Sequence, residues 1–229
     1  ILTRLKEDAK LPANGVVVKS FVTTGMAKAI CDDFGVELVD VPVGFKFIGE
    51  KIKEYEASGA KTFLFGFEES CGYLRGTEGS RDKDAVVASM LCAEMVCYYT
   101  YKQQSVYARL MDLYAKYQFT LDRNISIKFG GLNAMKEMNA LVDSLKTKKA
   151  EKFDIYNVVA VRDYSSSVRR LADGTEETMN IPQTNAVYYE LENGSFICVR
   201  PSGTEPKLKI YYSVRAKDED AAEKAFEKM

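Results

Sequence analysis

The chain has 229 residues, enough for one large domain or two small ones with cores that need no covalent staples. Its 32 basic and 33 acidic side chains nearly cancel, which argues against a nucleic-acid partner but allows a small anionic substrate held by a local basic cluster. Histidine is absent, so these residues contain no Ser–His–Asp triad, no Cys–His pair and no His-ligated metal.

Cysteines stand at positions 31, 71, 92, 97 and 198, an odd number with no CxxC spacing. That pattern speaks against a zinc site or a disulfide framework and for a reducing, cytoplasmic setting. The opening residues, Ile1 to Leu5, lack signal-peptide character, and the missing initial Met suggests a piece of something longer. Residues 85–99 are the most apolar stretch. They are interrupted by Glu94 and too short to span a bilayer, so a buried helix and no membrane partner are expected.

In chain order, residues 1–118 alternate strand and helix. Val16-Val17-Val18 is a β-branched strand; Thr23-Thr24 could cap a helix that ends before Gly35. Residues 36–41 form the next strand, and a helix through Ile48, Ile52 and Tyr55 stops at Gly59. Residues 62–67 are apolar on both faces, as in a covered parallel sheet. A glycine-rich loop leads to the apolar helix, expected to start at Asp82, and Ser105 caps another helix through Leu110 and Leu113. This order predicts an α/β layer.

After a boundary near residues 117–121 the rhythm changes. Ile125 and Ile127 alternate in a strand, a helix covers 133–145, and three strands cover 158–161, 187–191 and 196–199. Asn193-Gly194 marks a hairpin turn, residues 207–214 a strand and 219–229 a closing helix. The basic run Lys146, Lys148, Lys149 and Lys152 reads as a solvated loop, because few aromatics interleave. Residues 119–229 thus read as a smaller α+β domain.

Three segments could carry chemistry. In Gly66-Phe67-Glu68-Glu69-Ser70-Cys71-Gly72-Tyr73, at the carboxyl end of a buried strand, Glu68 and Ser70 point to one side if the chain stays extended. A carboxylate and a hydroxyl so placed suit vicinal sugar hydroxyls, although solvated charges or an acid–base pair would look the same. Arg81-Asp82-Lys83-Asp84 places Lys83 at a helix start, where crowding by positive groups could make it a base; a surface lysine paired to a carboxylate is the simpler reading. Arg200-Pro201-Ser202-Gly203-Thr204-Glu205-Pro206-Lys207 gathers a guanidinium, two hydroxyls, an ammonium and the N–H groups around Gly203, which suits a phosphate.

Together these motifs resemble the C-terminal half of the α-D-phosphohexomutase superfamily, and within it the bacterial phosphoglucomutases with a GYEESYGY-type sugar loop. The resemblance also takes in Val16 to Lys19, Val22-Thr23-Thr24 and Gly44-Phe45-Lys46-Phe47-Ile48-Gly49. It implies that residues 1–118 are the family's third domain and residues 119–229 its fourth, a TATA-binding-protein-like α+β fold. It implies a phosphoglucomutase or phosphomannomutase, an isomerase-class phosphotransferase working through a hexose 1,6-bisphosphate, with Mg²⁺ and a phosphoserine supplied by N-terminal domains. By the same resemblance Glu68, Ser70, Gly44 and Lys46 would bind the sugar, Arg200, Ser202, Gly203, Thr204 and Lys207 the non-reacting phosphate, and Lys83 would be the general acid/base.

Cys71 replaces an aromatic usual in that branch, and Val43 a usual threonine. The T-x-S-H-N-P serine loop and the D-x-D-x-D/R metal loop are absent from these 229 residues, so the chain alone is expected to be inactive and to hold no metal. A phosphopentomutase piece and a free-standing sugar-phosphate-binding module are the alternatives.

Overall fold

The computed structural model describes residues 1–77, 79–148, 150–203 and 205–229. The chain divides into two compact units, Ile1–Tyr117 and Gln118–Met229.

The first unit runs α1 (Leu2–Glu7), β1 (Gly15–Ser20), α2 (Met26–Phe34), β2 (Glu37–Val41), α3 (Phe45–Ser58), β3 (Thr62–Glu68), β4 (Gly72–Leu74), α4 (Ala85–Tyr101) and α5 (Val106–Tyr117). Its sheet has the order β2-β1-β3-β4, with β1 parallel to both neighbours and β4 antiparallel to β3. Strand alternation splits the valines of β1 between two faces. Val16 and Val18 meet Phe45, Ile48, Ile52 and Tyr55 of α3, whereas Val17 turns the other way toward Cys31 and Leu64. Ile48 and Ile52 are fully buried, each contributing about 1.5–3 kcal/mol by leaving water. The stops expected at Gly35 and Gly59 are present, both in the left-handed conformation.

The second unit runs β5 (Phe119–Lys128), α6 (Ala134–Thr147), β6 (Lys152–Phe153), β7 (Tyr156–Asp163), β8 (Val168–Leu171), β9 (Glu176–Thr178), β10 (Val187–Leu191), β11 (Phe196–Pro201), β12 (Lys207–Ala216) and α7 (Glu219–Phe226). The strand order is β5-β12-β11-β10-β7-β8-β9, with β6 paired to β7, and every pairing is antiparallel. Met138 and Val142 of α6 pack on Val187, Tyr189, Ile197, Val199 and Leu208, and Ala222 and Ala225 of α7 on Val214 and Ala216. The chain is therefore an α/β layer followed by an α+β unit.

Several local expectations need correction. Asp84, not Asp82, caps α4, its side chain accepting from the Val87 N–H at 2.9 Å. Gly25 holds the cap position of α2; Thr24 Oγ1 accepts from the Met26 N–H at 3.3 Å, while Thr23 is engaged elsewhere. The glycine-rich loop contains β4, whose Leu74 is buried in the core. Helix α1, strands β8 and β9 and the early start of β5 at Phe119 were not anticipated. Lys146 belongs to α6 and pairs with Asp143, while Lys149 lies outside the described residues. Most consequential is α4: it is a helix, but none of its residues is buried, and Val86, Met90 and Tyr101 are largely exposed. Its side chains are apolar around the whole circumference, a pattern usual for buried helices, yet only part of that surface, including Val87, Leu91, Tyr98 and Tyr99, is half-buried.

Gly66 in β3 is a packing requirement. A Cβ there would stand 2.6 Å from Ile48 Cγ2 and 3.0 Å from Phe63 Cζ. Gly66→Ala should cost about 1–3 kcal/mol by forcing α3 off the sheet. The expected reading is a lowered denaturation midpoint for probes in residues 1–117, with probes in residues 118–229 unmoved.

Candidate functional site

Strand β3 ends on Glu68, whose side chain is 4% exposed. Burying a carboxylate is expensive unless it is paired. The pairing comes from Lys83, whose Nζ lies 2.6 Å from Glu68 Oε1. The other oxygen, Oε2, is buried and has no hydrogen-bond partner among the described residues. Such an orphaned acceptor in a folded core calls for a donor from outside.

Three elements converge to build this arrangement. A Cβ on Gly72, at the start of β4, would lie 2.6 Å from Glu68 Cγ, 3.0 Å from Lys83 Cε and 3.0 Å from Phe45 Cδ2. Only a residue without a side chain lets the acid, the lysine stem and the first ring of α3 meet there. The segment carrying Lys83 is tied down at both ends: the Asp84 N–H donates to Tyr73 O at 3.0 Å, and Arg81 ion-pairs with Glu56 of α3. A Cβ on Gly49 would come within 2.7 Å of Arg81 O, so this loop lies directly on α3.

Lys83 thus follows the simpler of its two readings, a lysine paired to a carboxylate, and the charges beside it are those of Glu68, Asp82 and Glu69 rather than positive groups. Its hydrogen bond to Glu68, helped by the nearby charges of Asp82 and Glu69, raises its pKa above the ordinary 10.5 against a smaller opposing effect of burial. The pairing with a carboxylate, not the depressed base, is what the chain builds in this state.

Ser70 does not join Glu68. Residues 69–71 form a turn, with Cys71 at φ +54, so the condition of an extended chain is not met. Ser70 is exposed, and its hydroxyl makes only a 3.5 Å contact to Glu69 Oε1. Gly44 and Lys46 flank Phe45 at the start of α3; Gly44 holds the cap position, and the exposed Lys46 ammonium lies 4.8 Å from the centre of the Phe47 ring.

In the second unit, Arg200 sits near the end of β11 and Lys207 at the start of β12, on either side of the connecting turn. Arg200 Nη1 donates to Tyr211 Oη over a long 3.4 Å. The Ser202 N–H is not free: it donates to Lys207 O at 2.7 Å and closes the hairpin. Lys207 pairs with Glu205 at 3.1 Å. Gly203 has open space around it, and Thr204 lies outside the described residues. The ladder adds two residues that sequence reasoning missed. Lys209 stands directly opposite Arg200, and Lys128 of β5 directly opposite Lys207. For Lys209 the signal was its i, i+2 spacing from Lys207, which puts both on one face of a strand; Lys128 had none before the strands were paired. Like charges facing each other across strands are unfavourable unless an anion sits among them.

Among the described residues no three metal-ligating side chains come together. No helix among them is long and apolar enough to cross a membrane.

An α/β layer followed by an α+β unit is also the arrangement of solved mutase structures. Parafusin, a phosphoglucomutase from Paramecium in its open form, matches with a TM-score of 0.61 at 16% identity over 92% of this chain and 36% of that one. A phosphoglucomutase/phosphomannomutase family protein from Burkholderia thailandensis matches with a TM-score of 0.54 at 14% identity over 99% of this chain and 38% of that one. By sequence, residues 1–117 match the profile of the phosphoglucomutase/phosphomannomutase alpha/beta/alpha domain III, and residues 137–229 that of the C-terminal domain. The chain belongs to the phosphoglucomutase/phosphomannomutase family. A phosphoglucomutase of Staphylococcus saprophyticus is 32% identical over 92% of this chain and 38% of its own length; one of Staphylococcus aureus strain COL is 29% identical over 96% and 40%. The chain spans about two fifths of the length of these curated relatives.

The raised pKa of Lys83 gives a signed expectation. A folded-state pKa above the unfolded value contributes stability that is fully present below the unfolded pKa and is lost as pH rises through the folded one. The Glu68–Lys83 pair should therefore hold unchanged across neutral pH and weaken only in strong alkali. Followed by NMR, the Lys83 ammonium should titrate above 10.5, and Glu68→Gln should bring the midpoint down. A wild-type midpoint below 10.5 would contradict the pairing.

Proposed function

We propose that this chain is the sugar- and phosphate-binding half of a hexose-phosphate mutase, a phosphoglucomutase or phosphomannomutase, in which the phosphoryl group moves between the 1- and 6-oxygens through a bisphosphorylated sugar. Residues 1–118 act as the third domain and residues 119–229 as the fourth. The serine loop and the metal loop belong to the N-terminal domains, which are the chain's partners in catalysis.

The observation that carries this reading is the buried, unfilled Glu68 Oε2. A sugar hydroxyl donating to it would supply the missing bond, while Lys83 holds Oε1. In that role Glu68 senses ring hydroxyls, Ser70 adds a donor and acceptor at the rim, and Gly44 and Lys46 complete the sugar side. Lys83, protonated in its pairing, acts as the acid toward the reacting oxygen and returns as base once it has given up its proton. Arg200, with Ser202, Gly203, Thr204 and Lys207, grips the phosphate that does not react. The facing pairs Arg200/Lys209 and Lys207/Lys128 support that role, because an anion relieves their repulsion.

The test uses glucose 1-phosphate and the 229-residue chain, followed by NMR. The sugar phosphate should shift amides in residues 66–74 and 200–207. Glu68→Ala should remove the first set, since a hydrogen bond to a charged group is worth about 1.5–3 kcal/mol. Arg200→Ala should abolish the second set, and Arg200→Lys should weaken it, since lysine keeps the charge but loses the planar fork. Added salt should weaken the phosphate response. No turnover is expected from this chain alone; turnover by a preparation from a mutase-deficient host would contradict the division of labour, and shifts unaltered by both alanine variants would contradict the site.

A further inference from the structure

Glu69 follows Glu68 in sequence but does something different. It opens the turn that follows β3, and its carboxylate reaches the carboxyl end of β1. There its Oε2 accepts hydrogen bonds from Ser20 Oγ at 3.1 Å and Thr23 Oγ1 at 2.9 Å, and the two hydroxyl oxygens lie 2.7 Å apart. Both hydroxyl residues are buried.

The platform beneath them is itself built with care. Thr23 N–H donates to Ser20 O at 3.0 Å, closing a turn. The buried Lys19 sends its ammonium to Ser20 O at 3.2 Å and Thr23 O at 2.9 Å, and pairs with Asp40 of β2 at 3.0 Å. A buried lysine spent on two backbone carbonyls of one turn makes that turn rigid. Two hydroxyls 49 and 46 residues away in sequence are thereby presented to one carboxylate.

We propose that Glu69 is a positioning residue for the sugar loop. Its carboxylate fastens the turn at residues 69–71 to the β1–α2 corner and so fixes the direction in which Glu68 and Ser70 face the substrate. The inference rests on the reading of Glu68 as an acceptor of sugar hydroxyls. Glu69 itself touches no substrate; it acts through the turn, with Ser20 and Thr23 as its anchors.

Two readouts on the 229-residue chain test this. The first needs no sugar: amide hydrogen exchange at Ser70, Cys71 and Gly72. Losing two charge-assisted hydrogen bonds should speed exchange there by about tenfold in Glu69→Ala. Glu69→Gln, which keeps the shape and an acceptor, should speed it less. Thr23→Val should also speed it, and Glu69→Ala combined with Thr23→Val should add little to Glu69→Ala alone, because the hydrogen bond that Thr23→Val removes is already lost in Glu69→Ala. The second readout is the glucose 1-phosphate titration, in which Glu69→Ala should need about tenfold more ligand for the shifts in residues 66–74 while those in residues 200–207 stay as in the wild type.

Unchanged exchange in Glu69→Ala overturns the anchor. Faster exchange with an unchanged titration overturns the positioning role. A wild-type chain that shows no response to the sugar phosphate in residues 66–74, together with faster exchange in the variant, overturns the sugar reading and the role built on it, and leaves the anchor as a structural tie. Additive effects of Glu69→Ala and Thr23→Val overturn the assignment of Thr23 as the partner.

Discussion

Burying one carboxylate organises the first unit. Glu68 leaves water at the end of β3, and Lys83 must reach it for that to be tolerable. The reach requires Gly72 to be bare, Phe45 to close the side and the segment from Arg81 to Asp84 to lie on α3. Asp84 then serves two masters: its N–H ties the segment to β4, and its side chain starts α4. A local electrostatic demand thus fixes the positions of a strand end, a helix start and a connecting loop. The sheet supplies the rigidity on which this depends, because Ile48 of α3 sits directly over Gly66, two residues before Glu68.

The second unit answers a different constraint. Its ladder is antiparallel throughout, so residues far apart in sequence face one another in fixed pairs. One consequence is that basic residues of β5, β11 and β12 are forced into company at the strand ends around the hairpin. In an antiparallel sheet such company follows from register alone, and a single slip would turn every one of these side chains to the opposite face. Here the register is held from the other face by Val199 and Leu208, packed against α6.

Much of this was legible in the residues, and what was not has identifiable causes. The valine run of β1, the glycine stops of α2 and α3 and the Asn193-Gly194 turn are local signals, and local physics decides them. A lysine paired to a carboxylate was the simpler reading of Lys83, but its partner was not legible, because the decisive acid ends β3 and is brought close through β4, which hides among glycines. Thr23 looked like a helix cap because threonine before a helix usually is one, yet a distant carboxylate claims its hydroxyl. The family was readable from the sugar and phosphate motifs, but Ser70 shows the limit of spacing arguments, since a turn undoes the alternation on which its pairing with Glu68 relied. Lys128 and Lys209 escaped notice because their significance exists only once strands are paired.

Helix α4 has a consequence of another kind, for how the molecule behaves in a tube. The helix has seventeen residues with a single charge, none of them fully buried, and Val86, Met90, Val96 and Tyr101 all face solvent. Water expels such a surface for entropic reasons near room temperature, so its stickiness grows on warming and fades in the cold. Sulfate and phosphate buffers strengthen that tendency, and dilute urea relieves it. The chain is thus best kept dispersed when cold, dilute and low in sulfate, conditions chosen for one helix rather than for the fold as a whole.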